Sequence, residues 1–432
     1  MPSCFVSFTG ISKKAFATRI MRQENELIPH LFRTEYAKIV AVLCKLLGIE
    51  HMQLAEDMVS DTFLLAAETW GMKGLPPNPV AWLYTVAKNK ARDVLKRNAI
   101  FSNKIAATLR HSSSEQITED IDIDLSEQNI ADSQLQMMFT VCHPCIPAES
   151  RIGLALNILC GFSADEIADA FLTNREVIYK RLRRAKEKLH TENIKIEMPG
   201  VQQVAGRLDD VLTTLYLLFN EGYYSASQNT VTRKDLCLEA MRLSQLLTQN
   251  RYTNTPEVNA LLALMCFHAS RFDARTDATG ATVLYDEQDE YLWNNELIEQ
   301  GKYFLSYAGT EALGKYYFEA NIAYWHTHKA DSIEKWQNVL HLYNQLLQLE
   351  YSPVAALNRT YALSKVYGKQ AAIPEAEKLG LRTHLYYVLL GYLFSGIDNT
   401  VALAHMRTAL SLCRSENDKA SVKKNIERLL HK

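Results

Sequence analysis

Helix breakers are scarce in this chain, with 17 glycines and 11 prolines among 432 residues, and apolar residues recur at three- and four-residue spacing along most of its length. A sequence so patterned buries its apolar side chains by forming amphipathic helices that pack on one another. No segment shows the sustained alternation of a strand, so the expected fold class is all-α. The length exceeds the roughly 100–200 residues of one domain and points to two or three. Hydrophobic residues at 47% and charged residues at 22% are globular proportions and exclude a solvated tail protein. Lys plus Arg number 47 against 49 Asp plus Glu, a net charge of -2, so any surface for nucleic acid must be local. No apolar run reaches the roughly 18 residues of a membrane span, Leu261 to Phe267 being far too short, and no membrane partner is expected. The N-terminus has no long apolar core before a cleavage site, and eight scattered cysteines read as reduced thiols, so a cytoplasmic location is expected.

Along the chain, residues 1–20 lack an amphipathic pattern and read as a disordered extension or as the product of a start codon upstream of Met21. Helical patterning spans 21–110, and 111–132 then carry seven acidic residues with no Lys or Arg, which reads as a linker. A shorter helical unit covers 133–190, a second linker 191–206, and further helices fill 207–432. In that last part small and large apolar residues alternate on helical faces broken by Pro353, Gly368 and Gly396, as in tetratricopeptide-like helical repeats.

The most specific local signal is GFSADEIADAFLTNREVIYKRLRRAKEKL, from Gly161 to Leu189. Ser163 and Glu166 form a capping box for a first helix, and residues 172–174 make a tight turn. A second helix sets Ile178, Leu182, Ala185 and Leu189 on one buried stripe. Between Asn174 and His190 it carries seven Lys and Arg against Glu176 and Glu187. Such a concentration suits phosphate, because counterion release supplies most sequence-independent affinity. In a helix-turn-helix the N-terminal end of the second helix meets base edges, which selects Thr173, Asn174, Arg175, Glu176, Tyr179 and Lys180 for reading. Arg183, Arg184 and Lys186 then hold phosphate. The plainer alternative is an amphipathic helix with a solvated basic face.

A second segment, NPVAWLYTVAKNKARDVLKRN from Asn78 to Asn98, places Leu83, Ala87, Ala91 and Val94 on one helical face and Lys88, Arg92 and Lys96 on another. Basic residues interleaved with Trp82 and Tyr84 suit single-stranded nucleic acid, with cations along the backbone and rings against bases. Equally, Trp82 suits a core anchor. Upstream, LAEDMVSDTFLLAAETW sets Leu54, Met58, Thr62 and Leu65 on one side and exposes Glu56, Asp57 and Asp61, a pattern fitting a protein-docking face.

In series these three segments resemble a bacterial RNA polymerase sigma factor of the extracytoplasmic-function type. AEDMVSDTF is similar to that family's polymerase-docking helix, NPVAWLYTVAKNKARDVLKR to its promoter-melting helix, and Gly161 to Leu189 to its -35-reading helix-turn-helix. The C-terminal part resembles the subgroup with a tetratricopeptide-like extension through MMFTVCHPCIP, RLDDVLTTLYLLFNEGYYSAS, LLALMCFHASRFDAR and VLYDEQDEYLWNNELIEQG. The resemblance implies two small helical sigma domains, the second a helix-turn-helix, followed by a helical-repeat domain. It implies core RNA polymerase and promoter DNA as partners, with a peptide or protein partner for the extension. By the same resemblance Glu56, Asp57 and Asp61 face the polymerase with Phe63 packed beneath. Trp82, Tyr84, Lys88, Asn89, Arg92, Lys96 and Arg97 lie near the opened -10 strand.

CysHisProCys at 142–145 invites a zinc reading, but no second Cys or His pair follows at finger-like spacing. A site shared with the distant Cys160 is the alternative to a structural turn. No metal and no cofactor are expected. Polar clusters at Asn220, Glu221 and Gly222 and at Asp286, Glu287, Gln288 and Asp289 suit a ligand site or, more readily, packing or regulatory contacts, and Gly222 also suits a helix end. No nucleophile stands beside an activating base, so an enzyme is not expected. Two rival readings are an autonomous helix-turn-helix regulator and a repeat scaffold that binds other proteins.

Overall fold

The computed structural model describes residues 13–109, 123–171, 173–224, 230–275, 283, 285–309, 313–413 and 416–431. Among these residues the chain forms eighteen α-helices and no strand. It divides into two compact units, one drawn from 1–169 with 173–214, the other from 170–172 with 215–432.

The first unit contains α1 (Lys13–Leu47), α2 (Met52–Lys73), α3 (Pro79–Leu109), α4 (Glu127–Val141), α5 (Ala148–Cys160), α6 (Ala164–Ala170), α7 (Arg175–Thr191) and the start of α8 (Val201–Tyr224). Helix α1 is its axis. Ile39, Val40 and Leu43 are wholly buried, and α1 packs against α2, α3, α4 and α5. That central helix explains why segments 21–110 and 133–190 form one compact unit: its apolar residues wrap around the helix and need cover on several sides.

Boundaries differ from the sequence expectations in four places. Helix α1 already includes residues 13–20, and the rest of the expected extension lies outside the described residues. The acidic linker ends at Ser126, whose hydroxyl accepts from the Asn129 amide and starts α4, while 111–122 lie outside the described residues. The second linker is shorter than 191–206, because α7 includes Thr191 and α8 starts at Val201. Gly222 does not end α8, which continues to Tyr224.

The second unit holds the rest of α8, α9 (Thr230–Thr248), α10 (Pro256–Ala269), α11 (Asn295–Ser306), α12 (Lys315–Trp325), α13 (Ile333–Leu349), α14 (Pro353–Tyr367), α15 (Lys369–Leu379), α16 (His384–Phe394), α17 (Asn399–Leu412) and α18 (Glu416–Leu430). Thr255, Asn294, Ser332, Ser352, Thr383 and Asp398 each cap a helix through a side-chain oxygen. The apolar run Leu261 to Phe267 is the heart of α10, buried along its whole length. No helix among the described residues is long and apolar enough to cross a membrane. From α12 onward the core is built locally: Trp336 and Val339 center one cluster, Leu389 and Leu393 the next, Met406 and Ala409 the last.

Candidate nucleic-acid interface

Gly161 ends α5 at φ 70°, a left-handed conformation that glycine adopts without Cβ strain, and turns the chain toward α6 and α7. The capping box is present. The Glu166 amide donates to Ser163 Oγ at 3.2 Å, and Glu166 Oε2 accepts from the Ser163 amide at 2.9 Å. Asn174 caps α7 by accepting from the Glu176 amide at 2.8 Å. Ile178, Leu182, Ala185 and Leu189 are buried, as their spacing predicts.

That anchorage leaves Thr173, Asn174, Arg175, Glu176, Tyr179, Lys180, Arg183 and Arg184 exposed. Arg175 is oriented by Asp165 at 3.0 Å and lies over the Tyr179 ring at 5.1 Å. Arg183 meets Glu187 at 3.4 Å, a pair on the same helix face. Among the described residues Lys180 and Arg184 make no ion pair, and both line a cleft of about 660 Å³ with Cys145, Pro147 and Ser150.

Lys186 departs from the expected outward set. Its Nζ donates to Glu56 Oε2 at 2.6 Å, and Glu56 is only 6% exposed. The expected exposure of Glu56 therefore does not hold here, because its face of α2 is covered. Burial raises the Glu56 pKa, more than the neighboring Lys186 charge lowers it. Glu56 and Asp57 share a cleft of about 750 Å³ with Tyr179, Lys180, Arg183 and Lys186. Residues expected to dock protein and residues expected to read DNA thus lie on one concave surface.

The rest of α2 is closer to expectation. Asp57 is exposed and accepts from Gln53 at 3.0 Å, and Asp61 is exposed with Lys90 at 3.6 Å. Phe63 is buried, edge-on to Phe32 at 5.0 Å. The apolar side is rotated from the one inferred. Met58 and Thr62 are buried but Leu54 is half-buried and Leu65 exposed, because Ala55, Val59, Phe63 and Ala66 fill the space toward the neighboring helices.

In α3, Leu83, Ala87 and Ala91 are buried and Val94 is half-buried. Trp82 packs edge-on against the buried Trp70 at 5.3 Å, so it anchors this helix. The Tyr84 hydroxyl donates to Glu35 Oε2 at 2.6 Å, and burial with this bond pushes its pKa up. Lys88 and Arg92 are half-buried, whereas Asn89, Lys96 and Arg97 are exposed. Sequence reasoning missed Glu35. Its signal is a carboxylate on the helix that carries the apolar Ile39, Val40 and Leu43.

The CysHisProCys segment forms the turn between α4 and α5. His143 Nδ1 accepts from the Cys145 amide at 3.2 Å, and the Ile146 amide donates to the His143 carbonyl at 3.0 Å. Burial and the Arg207 charge lower the His143 pKa, in keeping with the acceptor role that the Cys145 amide gives that ring nitrogen.

Residues 207–309 match a family of unknown function (DUF6596). No solved structure matches the chain. An uncharacterized protein of Rhizobium meliloti (strain 1021) is 32% identical over 393 residues, which cover 88% of this chain and 90% of that protein. At that identity, over almost the full length of both, the chain belongs to one family with the Rhizobium protein.

Proposed function

We propose that the protein is an RNA polymerase sigma factor of the extracytoplasmic-function type, a cytoplasmic initiation factor that performs no covalent chemistry. The observation that carries this reading is α7, a capped second helix of a helix-turn-helix with its apolar stripe buried and Arg175, Tyr179, Lys180 and Arg184 exposed. Its order after a docking-like α2 and a basic, aromatic α3 supports the same reading.

In this reading α7 reads the -35 element, α3 handles the opened -10 strand and α2 docks on core polymerase. Because Glu56 and Lys186 neutralize each other, the compact first unit corresponds to the polymerase-free form. Core enzyme opens it by offering Glu56 and Asp57 a basic partner, and Lys186 is released toward phosphate. The successive local cores of α12 to α18 support a tetratricopeptide-like array whose partner is a peptide or protein.

The test is a gel shift on DNA from upstream of the protein's own gene, with and without core polymerase. Retention of that DNA only with core is the expected result. Tight retention by the free protein would instead establish the autonomous regulator, because a single short basic helix makes few phosphate contacts.

A further inference from the structure

Three stretches far apart in sequence meet inside the second unit. Tyr223 lies near the end of α8, His268, Arg271 and Arg275 at and beyond the end of α10, and Tyr285, Gln288 and Trp293 in the irregular segment before α11. The Tyr223 and His268 rings are 4.7 Å apart, and the Arg275 guanidinium lies 3.8 Å from the Tyr223 ring center. Arg271 lies over Tyr285 at 5.5 Å, and Tyr285 also meets Trp293 at 6.3 Å and His326 at 5.3 Å. From α13 the buried Lys335 donates to the Tyr285 hydroxyl at 2.9 Å.

The chain leaves five polar atoms of this cluster unsatisfied. Arg271 Nε, Trp293 Nε1, Gln288 Oε1 and the Nδ1 atoms of His268 and His326 are buried without a hydrogen-bond partner. Arg271, Gln288 and Trp293 are each no more than 8% exposed. Buried polar groups are ordinarily paired, and an unpaired charge is the costliest exception. Arg271 is such a charge: it makes no ion pair among the described residues, whereas Lys335 also donates to the His328 carbonyl at 2.5 Å. Of the nearby carboxylates, Asp331 pairs with Lys365 at 2.8 Å and Glu287 with Lys424 at 2.6 Å, while Asp331 and Asp286 act on Lys335 rather than on Arg271. Burial and the surrounding cations hold both histidines below their usual pKa, His326 at about 3. Each neutral ring can therefore donate from Nδ1 without adding charge.

We infer that this cluster binds a small oxyanion, a phosphate- or carboxylate-bearing molecule, held by Arg271 and the Trp293 indole, with Gln288 accepting from a hydroxyl on the same molecule. An oxyanion answers both deficits. It gives acceptors to the orphaned donors, with a geometry a guanidinium matches, and it pairs the Arg271 charge. A metal cation is disfavored by the Arg271 guanidinium and by the orphaned N–H donors. The site stands whether or not the protein directs polymerase, since it lies wholly in the second unit.

The test uses the full chain in chloride buffer at constant ionic strength. Thermal unfolding and calorimetry are followed during titration with sodium phosphate, glycerol 3-phosphate, malate and succinate. The expected result is saturable stabilization by at least one oxyanion, with phosphate against carboxylate identifying the class and malate exceeding succinate if that class is carboxylate. Arg271→Met and Trp293→Phe should each weaken binding at least tenfold. Should Arg271→Met not fold, Trp293→Phe, which keeps the ring and removes the N–H donor, decides. The inference is overturned if no oxyanion stabilizes beyond chloride, or if the folded variants bind within twofold of the parent.

Discussion

Lys186 of α7 and Glu56 of α2 form an ion pair at 2.6 Å, with side chains 20% and 8% exposed. Such a pair gains little over an apolar substitute, yet it is expensive to break from one side, because the remaining charge stays buried. Lys186→Met should destabilize the first unit by about 2–3 kcal/mol, and the Glu56→Gln, Lys186→Met double variant should recover much of that loss. Urea unfolding of the four proteins checks this. Additive losses would show that the two side chains are not coupled.

Lys180 and Arg184 lie outward on α7 without ion pairs among the described residues. With core polymerase present, Arg184→Ala should weaken promoter binding across sequences and reduce the slope of log affinity against log salt by about 1. Lys180→Ala, nearer the reading end, should alter sequence preference as well. Binding measured at several salt concentrations on parent and altered -35 sequences separates the two effects.

Glu319 in α12 supplies a pH dependence of stability. Burial lifts its pKa from 4.5 to about 7, against a hydrogen bond from Tyr216 and the Lys315 charge. The folded state then holds the proton more tightly than the unfolded chain. This contribution is fully present below 4.5 and is lost as the pH rises to about 7. The amplitude is on the order of 2–3 kcal/mol, and Glu319→Gln should flatten the profile and raise stability at pH 8. Denaturant melts from pH 4 to pH 8 test it.

Gly301 lets α11 approach α10 closely. A Cβ placed there would lie 2.6 Å from Cε1 of Phe267, a ring that is wholly buried. Alanine would gain up to about 1 kcal/mol in helix propensity but overpack the core by about 1–3 kcal/mol. Net destabilization of Gly301→Ala is expected, and a lowered melting temperature would show it.

Helical class, the capping box at Ser163 and the buried stripe from Ile178 to Leu189 were legible because each depends on residues within a few positions of one another. Pro353 and Gly368 likewise marked helix boundaries through local backbone chemistry. The pairing of Glu56 with Lys186 was not legible, since it joins residues 130 apart and each alone looks like a solvated charge. Tyr84 shows the same limit: its outward role was inferred from neighboring cations, whereas Glu35 on another helix fixes its hydroxyl. In the second unit the stretches holding Tyr223, His268 and Trp293 were visible as words. Their meeting around Tyr285 is a product of tertiary packing.

The most direct measurement is run-off transcription with purified core RNA polymerase on DNA upstream of this protein's gene and its neighbors. Discrete start sites that appear only when the protein is added are the predicted result, with Arg175→Ala, Lys180→Ala and Arg184→Ala reducing them. Absence of both transcripts and a stable complex with core would contradict the account.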